Sequence, residues 1–262
     1  MAIAPSDPLL SGRRILVCRP QPRADQLCQT LIESGAQARA LPMMEIQPLE
    51  LDGRGRALIQ DLDHFQHVIA VSPNAAQRLI DHLEQWWPQW PTGIHWWGVG
   101  KGTADAFQNA GLPANFPDQG HDSEALLARP EFSRERISEQ RILLCKGQGG
   151  RELLAQTLQE RGARVEHLPL YQRQRPSYDA KTIVEHFRDF DPDTLIVLSG
   201  ETLKNLLQVV QNTDPGLTRR RLIVPVSRVA EEAEAAGFEN IIIAGDLSPA
   251  GLLKALQSPT RS

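Results

Sequence analysis

The chain has 262 residues, 28 Lys plus Arg against 32 Asp plus Glu, and a formal net charge of -4, with 41% hydrophobic and 23% charged residues. These are ordinary globular values, and the slight acidity excludes a chain-wide basic footprint for nucleic acid or anionic lipid. No apolar run approaches the ~18 residues of a membrane span. Three cysteines without a C-x-x-C pair suit a reducing compartment. Residues 1–12 lack a basic segment followed by an apolar one, so no secretory leader is expected. A cytoplasmic monomer that binds neither nucleic acid nor membrane is the expectation.

In chain order, residues 15–18 form an apolar run of strand length, and Ala24, Leu27, Leu31 and Ile32 recur with a helical period. Gly35 stands where that helix should be capped. Residues 68–71 predict a strand, Ala75, Ala76, Leu79, Ile80 and Leu83 a helix, and residues 94–99 another strand, with Gly111 as a later cap. Ser123 before Glu124 predicts a helix N-cap. The alternation resumes with Leu154 and Leu158, then Gly162, then a strand over 195–198. Leu203, Leu206, Leu207 and Val210 follow, then Gly237, then Ser248 before Pro249 as an N-cap. Short apolar strands alternating with helices predict right-handed βαβ units and parallel sheets covered on both faces.

The sequence also repeats itself. Arg14-Ile15-Leu16-Val17-Cys18-Arg19 returns as Arg141-Ile142-Leu143-Leu144-Cys145-Lys146, 127 residues on. At that offset Leu41-Pro42 returns as Leu168-Pro169, and Val68-Ile69-Ala70-Val71-Ser72 as Leu195-Ile196-Val197-Leu198-Ser199. One α/β unit of flavodoxin-like size is therefore present twice.

Ligands of open parallel sheets bind at the carboxyl ends of the strands, beside helix N-termini. Copy one offers Arg19, Ser72 with Asn74, and Gly98-Val99-Gly100-Lys101-Gly102-Thr103 at those ends. Copy two offers Lys146-Gly147 through Gly150-Arg151, Ser199-Gly200, and Val226-Ser227-Arg228. Small residues, hydroxyls and cations at six strand ends point to a large polyanionic ligand. The bland reading, tight turns and helix caps, explains any one of them alone. Gly100-Lys101-Gly102-Thr103 matches the end of a phosphate-binding loop, but the first glycine of that pattern would fall at His95. Cys18, Cys28 and Cys145 read as core residues. His64 and His67 read as two solvated histidines, because nothing completes a metal ligand set. Trp86, Trp87, Trp90, Trp96 and Trp97 read as packing of a Pro-rich loop and the strand after it.

These residues resemble the uroporphyrinogen-III synthase family. The resemblance is carried by Ile15-Leu16-Val17-Cys18-Arg19-Pro20, Ser72-Pro73-Asn74-Ala75-Ala76, Val99-Gly100-Lys101-Gly102-Thr103-Ala104, Leu170-Tyr171-Gln172-Arg173 and Val226-Ser227-Arg228-Val229-Ala230, which span nearly the whole chain in the family's order. Cys18 departs from the threonine the family often has there. The resemblance implies two flavodoxin-like doubly wound parallel-sheet domains joined by a two-stranded β-ladder. One domain would be discontinuous, residues 1–37 plus 174–262, the other would span 48–164, and 38–47 and 165–173 would be linker strands. Ser72, Thr103, Gly147, Ser199 and Ser227 are then expected to face the space between the lobes.

The implied reaction cyclises hydroxymethylbilane, with inversion of ring D, to uroporphyrinogen III through an azafulvene and a spiro intermediate, with no metal and no cofactor. The substrate carries eight carboxylates, in keeping with two rows of donors. Closure without inversion proceeds uncatalysed, so the enzyme has mainly to fold the substrate. Tyr171 is the candidate proton donor: copy one has Met44 in its place, and a phenol keeps its proton at neutral pH. It is expected on a linker strand at the mouth of the cleft, an interfacial packing role being the alternative. A non-catalytic bilobal binding protein for a polyanionic small molecule would share the same plan.

Overall fold

The computed structural model describes residues 10–120, 122–150, 152–210, 214 and 216–257. In chain order the strands are β1 (Arg14–Val17), β2 (Gln37–Ala40), β3 (Glu45–Pro48), β4 (His67–Ala70), β5 (His95–Gly98), β6 (Ala114–Asn115), β7 (Arg141–Gly147), β8 (Arg164–Gln174), β9 (Thr194–Ile196), β10 (Arg221–Val224) and β11 (Asn240–Ile243). The helices are α1 (Arg23–Glu33), α2 (Gly53–Gln60), α3 (Pro73–Trp86), α4 (Lys101–Asn109), α5 (Ser123–Leu127), α6 (Arg134–Ile137), α7 (Leu153–Glu160), α8 (Ala180–Val184), α9 (Gly200–Val210), α10 (Ser227–Ala235) and α11 (Pro249–Gln257).

The chain divides into two compact units, Met1–Ile46 with Gln174–Ser262, and Gln47–Arg173. The first unit holds the sheet β11-β10-β9-β1-β2, parallel throughout. The other sheet is β3-β8-β7-β4-β5-β6, parallel from β8 to β6; it belongs to the second unit, whose boundary falls within β3. In chain order the first sheet reads 2-1-3-4-5, the flavodoxin-like order; the second, with β3 added at one edge, reads 5-4-1-2-3, a circular permutation of it. The first unit thus takes β1 from copy one of the repeat and β9, β10 and β11 from copy two. The second unit makes the opposite exchange. Residues 38–47 are not one linker strand. Residues 37–40 are β2 of the first sheet, whereas 45–48 lie beside β8 in the second. Residues 165–173 lie within β8, which pairs with β7 from Arg164 to Tyr171, because a sheet neighbour satisfies backbone groups that a free connection would leave to water.

In the first unit, successive strand residues enter two different cores. Leu16, Leu195, Val197, Leu222 and Val224 pack with Leu203 and Leu206 of α9 and Val229 and Ala233 of α10. Ile15, Val17, Ile196 and Ile223 pack with Leu27 and Leu31 of α1 and Leu252 and Leu256 of α11. Burial on both faces is why these strands are continuously apolar. In the second unit Ile69, Trp97, Ile142 and Leu144 meet Leu126 of α5 and Leu158 of α7, while Trp96 contacts Phe107 of α4 with ring centroids 5.4 Å apart.

The four repeat glycines follow helix ends with φ of 94° at Gly35, 81° at Gly111, 94° at Gly162 and 92° at Gly237. This is the left-handed conformation that closes a helix. Ser248 caps α11 by accepting from the Gly251 amide at 3.1 Å. Three expectations are corrected. The cap of α5 is Asp122, whose carboxylate accepts from the Ala125 amide at 2.8 Å, and Ser123 is the first helical residue. Ile32 is 49% exposed, because α1 buries the stripe of Ala24, Leu27 and Leu31 and Ile32 lies one step past its edge. His67 is buried, not solvated, because it opens a central strand; His64 is exposed beside Asp63.

Candidate functional site

Parallel pairing in the second unit brings the carboxyl ends of β8, β7, β4 and β5 into one row. Ser72, at the end of β4, caps α3. Its Oγ accepts from the Ala75 amide at 3.2 Å, and Pro73, with no N–H to satisfy, follows at the first helical position. The same Oγ lies 3.0 Å from the Tyr171 hydroxyl, which comes from β8. Gly147 makes this approach possible: a Cβ there would lie 2.6 Å from Tyr171 Cε2. The backbone continues the junction, since the Gln148 amide donates to the Tyr171 carbonyl at 2.7 Å. Tyr171 is buried at 2% exposure, and Ser72, half-buried, is the hydroxyl nearer the surface.

Gly100 caps α4 without a side chain, and the amides of Lys101 and Gly102 in its first turn have no intrahelical acceptor. Thr103 is buried, where a Cβ on Gly98 would overlap it, so its side chain packs against the end of β5. Asn74 is exposed. Gly149 and Gly150 after β7 have φ of 72° and 92°, with open space where a Cβ would stand. A cavity of about 360 Å³ beside them is lined by Lys146, Gln148, Glu152 and His167.

In the first unit the corresponding ends carry Arg19, Ser199 with Gly200, and Ser227 with Arg228. Ser199 accepts from the Thr202 amide at 3.1 Å and lies 2.8 Å from the Thr202 hydroxyl. Gly200 opens α9, and a Cβ there would collide with the carboxylate of Glu232 on α10. Ser227 and Arg228, in the first turn of α10, are exposed.

The cations do not form the uncompensated row expected from the sequence. Lys101 binds Asp105 at 2.7 Å, Lys146 binds Glu152 at 2.6 Å, and Arg228 pairs with Glu232. The first and last pairs span one helical turn, a spacing readable in the sequence; Lys146 and Glu152 meet only because the loop after β7 folds back. The Lys146 bond, first, holds the Glu152 carboxyl below its ordinary range. Arg19 has no carboxylate partner among the described residues. Burial, then the neighbouring Arg23, pushes its guanidinium below its ordinary value. Arg151 lies outside the described residues. The cysteines are free and buried; burial raises the Cys18 thiol to about 12 and the Cys28 thiol to about 11, and raises Cys145 as well, so these thiols are inert.

Two doubly wound parallel units, each with hydroxyl and glycine residues at its carboxyl strand ends, define a two-unit α/β protein of flavodoxin-like topology. The family model described as Uroporphyrinogen-III synthase HemD matches residues 25–254. The uroporphyrinogen-III synthase of Salmonella typhimurium is 32% identical over 250 residues, covering 93% of this chain and 99% of that protein. That of Escherichia coli is 30% identical, covering 93% and 99%. That of Proteus mirabilis is 33% identical, covering 74% and 96%. A crystal structure of a mutant uroporphyrinogen III synthase from Thermus thermophilus superposes with a TM-score of 0.57 at 18% identity, covering 94% of this chain and 99% of that one. The Helicobacter pylori structure gives 0.57 at 17%, covering 93% and 98%; at such identities these two show the fold. The chain belongs to the uroporphyrinogen-III synthase family. No helix among the described residues is long and apolar enough to cross a membrane.

Proposed function

We propose that this chain cyclises hydroxymethylbilane, with inversion of ring D, to uroporphyrinogen III, and does so mainly by folding its substrate. Family membership favours the cyclase over a non-catalytic binding protein. The observation that carries the mechanism is the concentration of hydroxyls, glycines and unpaired first-turn amides at the carboxyl strand ends of both sheets, where most cations are already neutralised. Such donors bind carboxylates through many modest hydrogen bonds, each net worth about 1 kcal/mol. The substrate-binding set is Arg19, Ser72, Asn74, Gly100, Lys101, Thr103, Lys146, Gly147, Arg151, Ser199, Gly200, Ser227 and Arg228. Arg19 supplies a free cation, whereas Lys101, Lys146 and Arg228 bind through exchange with their carboxylate partners. Thr103, being buried, serves by shaping the first turn of α4.

Proton donation to the departing hydroxyl of the bilane comes from Tyr171 through Ser72. The two hydroxyls lie 3.0 Å apart, and with Tyr171 as the donor Ser72 passes its own hydroxyl proton outward. Loss of water gives the azafulvene; attack by the substituted carbon of ring D gives the spiro intermediate, which fragments and recloses. No metal or cofactor enters this scheme. The enzyme works in the cytoplasm, as a monomer. The test is to supply enzymatically generated hydroxymethylbilane and resolve the product isomers. Isomer III is expected; isomer I alone, at the uncatalysed rate, refutes the reading.

A further inference from the structure

The second unit has a cavity of about 350 Å³ at the amino ends of β4, β5 and β7, the opposite end of the sheet from Ser72 and Tyr171. Four-residue strands at ~3.3 Å per residue place it ~13 Å from that row. Its base is a buried polar relay. Trp97 Nε1 donates to His67 Nδ1 at 3.1 Å, so the imidazole proton resides on Nε2, which donates to Gln140 Oε1 at 2.7 Å. The Gln140 oxygen is thereby engaged, and its amide NH2, on a residue lining the cavity, is left as a donor with no acceptor among the described residues.

The other walls repeat this bias. The Arg136 guanidinium makes no hydrogen bond or ion pair among the described residues, although it lines the same cavity. The one carboxylate present, Glu131, is already held by Arg129 through two bonds of 3.2 and 3.0 Å. His95 stacks on His67 with ring centroids 5.2 Å apart and is itself exposed, so a planar group can extend the stack. The cavity therefore offers a guanidinium that makes no hydrogen bond among the described residues, though it feels the charge of Glu131, and an oriented amide beside an aromatic face, at the lower end of ligand-pocket volumes.

We propose that this cavity is a second binding site, for a small planar organic anion whose carboxylate or phosphate group is taken by Arg136 and Gln140 and whose ring stacks on His95. His67 is a positioning residue there, since it orients the Gln140 amide. The site is independent of the strand-end residues assigned to cyclisation.

The test is calorimetric titration of the full chain with benzoate and with phenyl phosphate, and with benzyl alcohol as an uncharged control. Saturable binding of one or both anions, and none of the alcohol, is expected; whichever anion binds identifies the acid group. Arg136→Ala removes an exposed cation, and Gln140→Glu keeps the acceptor for His67 while replacing the donor by a negative charge. Each should weaken anion binding about tenfold or more, with cyclisation turnover unchanged. The proposal is overturned if neither anion saturates below ~10 mM, or if both variants bind as the wild type does.

Discussion

At the scale of single residues, the proposed proton relay runs through the contact between Tyr171 and Ser72. Tyr171→Phe keeps the ring against Gly147 and deletes only the hydroxyl. If the relay operates, kcat should fall by ~10² or more with little change in thermal midpoint. Ser72→Ala should fall similarly, and also lose about 1 kcal/mol of stability, because it removes the cap of α3. The double variant should be little slower than the slower single one, since both interrupt one path. Near wild-type turnover in Tyr171→Phe would make Tyr171 a packing residue. The sequence singled out Tyr171 through its difference from Met44 in copy one. It did not reveal the Ser72 contact, which joins residues 99 apart.

At the scale of elements, helix ends and strand starts carry measurable stability. Gly162 follows α7 with φ of 94°, and a Cβ there would lie 2.9 Å from Ser138 Oγ. Gly162→Ala should therefore cost about 1–2 kcal/mol in chemical denaturation. An unchanged midpoint would mean that the turn relaxes freely. At the start of β4, burial, opposed in part by the Gln140 bond, holds the His67 imidazole below its ordinary 6.5. The unfolded chain takes up that proton near 6.5 and the folded chain does not, so stability from this residue is complete above that pH and declines as pH falls below it. Melting followed between pH ~7.5 and ~5.5 should show a shallower acid-side decline in His67→Phe than in the wild type. Equal slopes would place the decline elsewhere, with His82, also lowered mainly by burial, as the next candidate.

At the scale of the whole molecule, the exchange of strands between repeat copies makes the units unequal in how they can fold. Residues 47–173 contain β7, β8, β4, β5 and β6 in one continuous stretch, with the core of Ile69, Trp97, Ile142 and Leu144 complete. The other unit needs β1, from near the start, between β9 and β2. A fragment of residues 47–173 should therefore melt cooperatively on its own, whereas 174–262 alone should not, because its sheet lacks the strand that covers β9. A cooperative transition in the 174–262 fragment would show that β1 is dispensable to that core.

The sequence by itself determined the kind of fold: continuously apolar strands, helical stripes and the 127-residue repeat are local or periodic signals, and they require only that each element bury its own apolar face. It also marked the strand-end residues, because chain turns at parallel strand ends draw on glycine, hydroxyls and caps. Only the tertiary structure decided what those residues touch. Lys146 looks like a free cation until the loop brings Glu152 to it, and His67 looks solvated until β5, β7 and Trp97 close around it. Thr103, a hydroxyl at a strand end, turns inward because Gly98 leaves it room. Partners distant in sequence are set by which strands lie side by side, and that order follows from the summed burial of the whole sheet, which no single segment encodes.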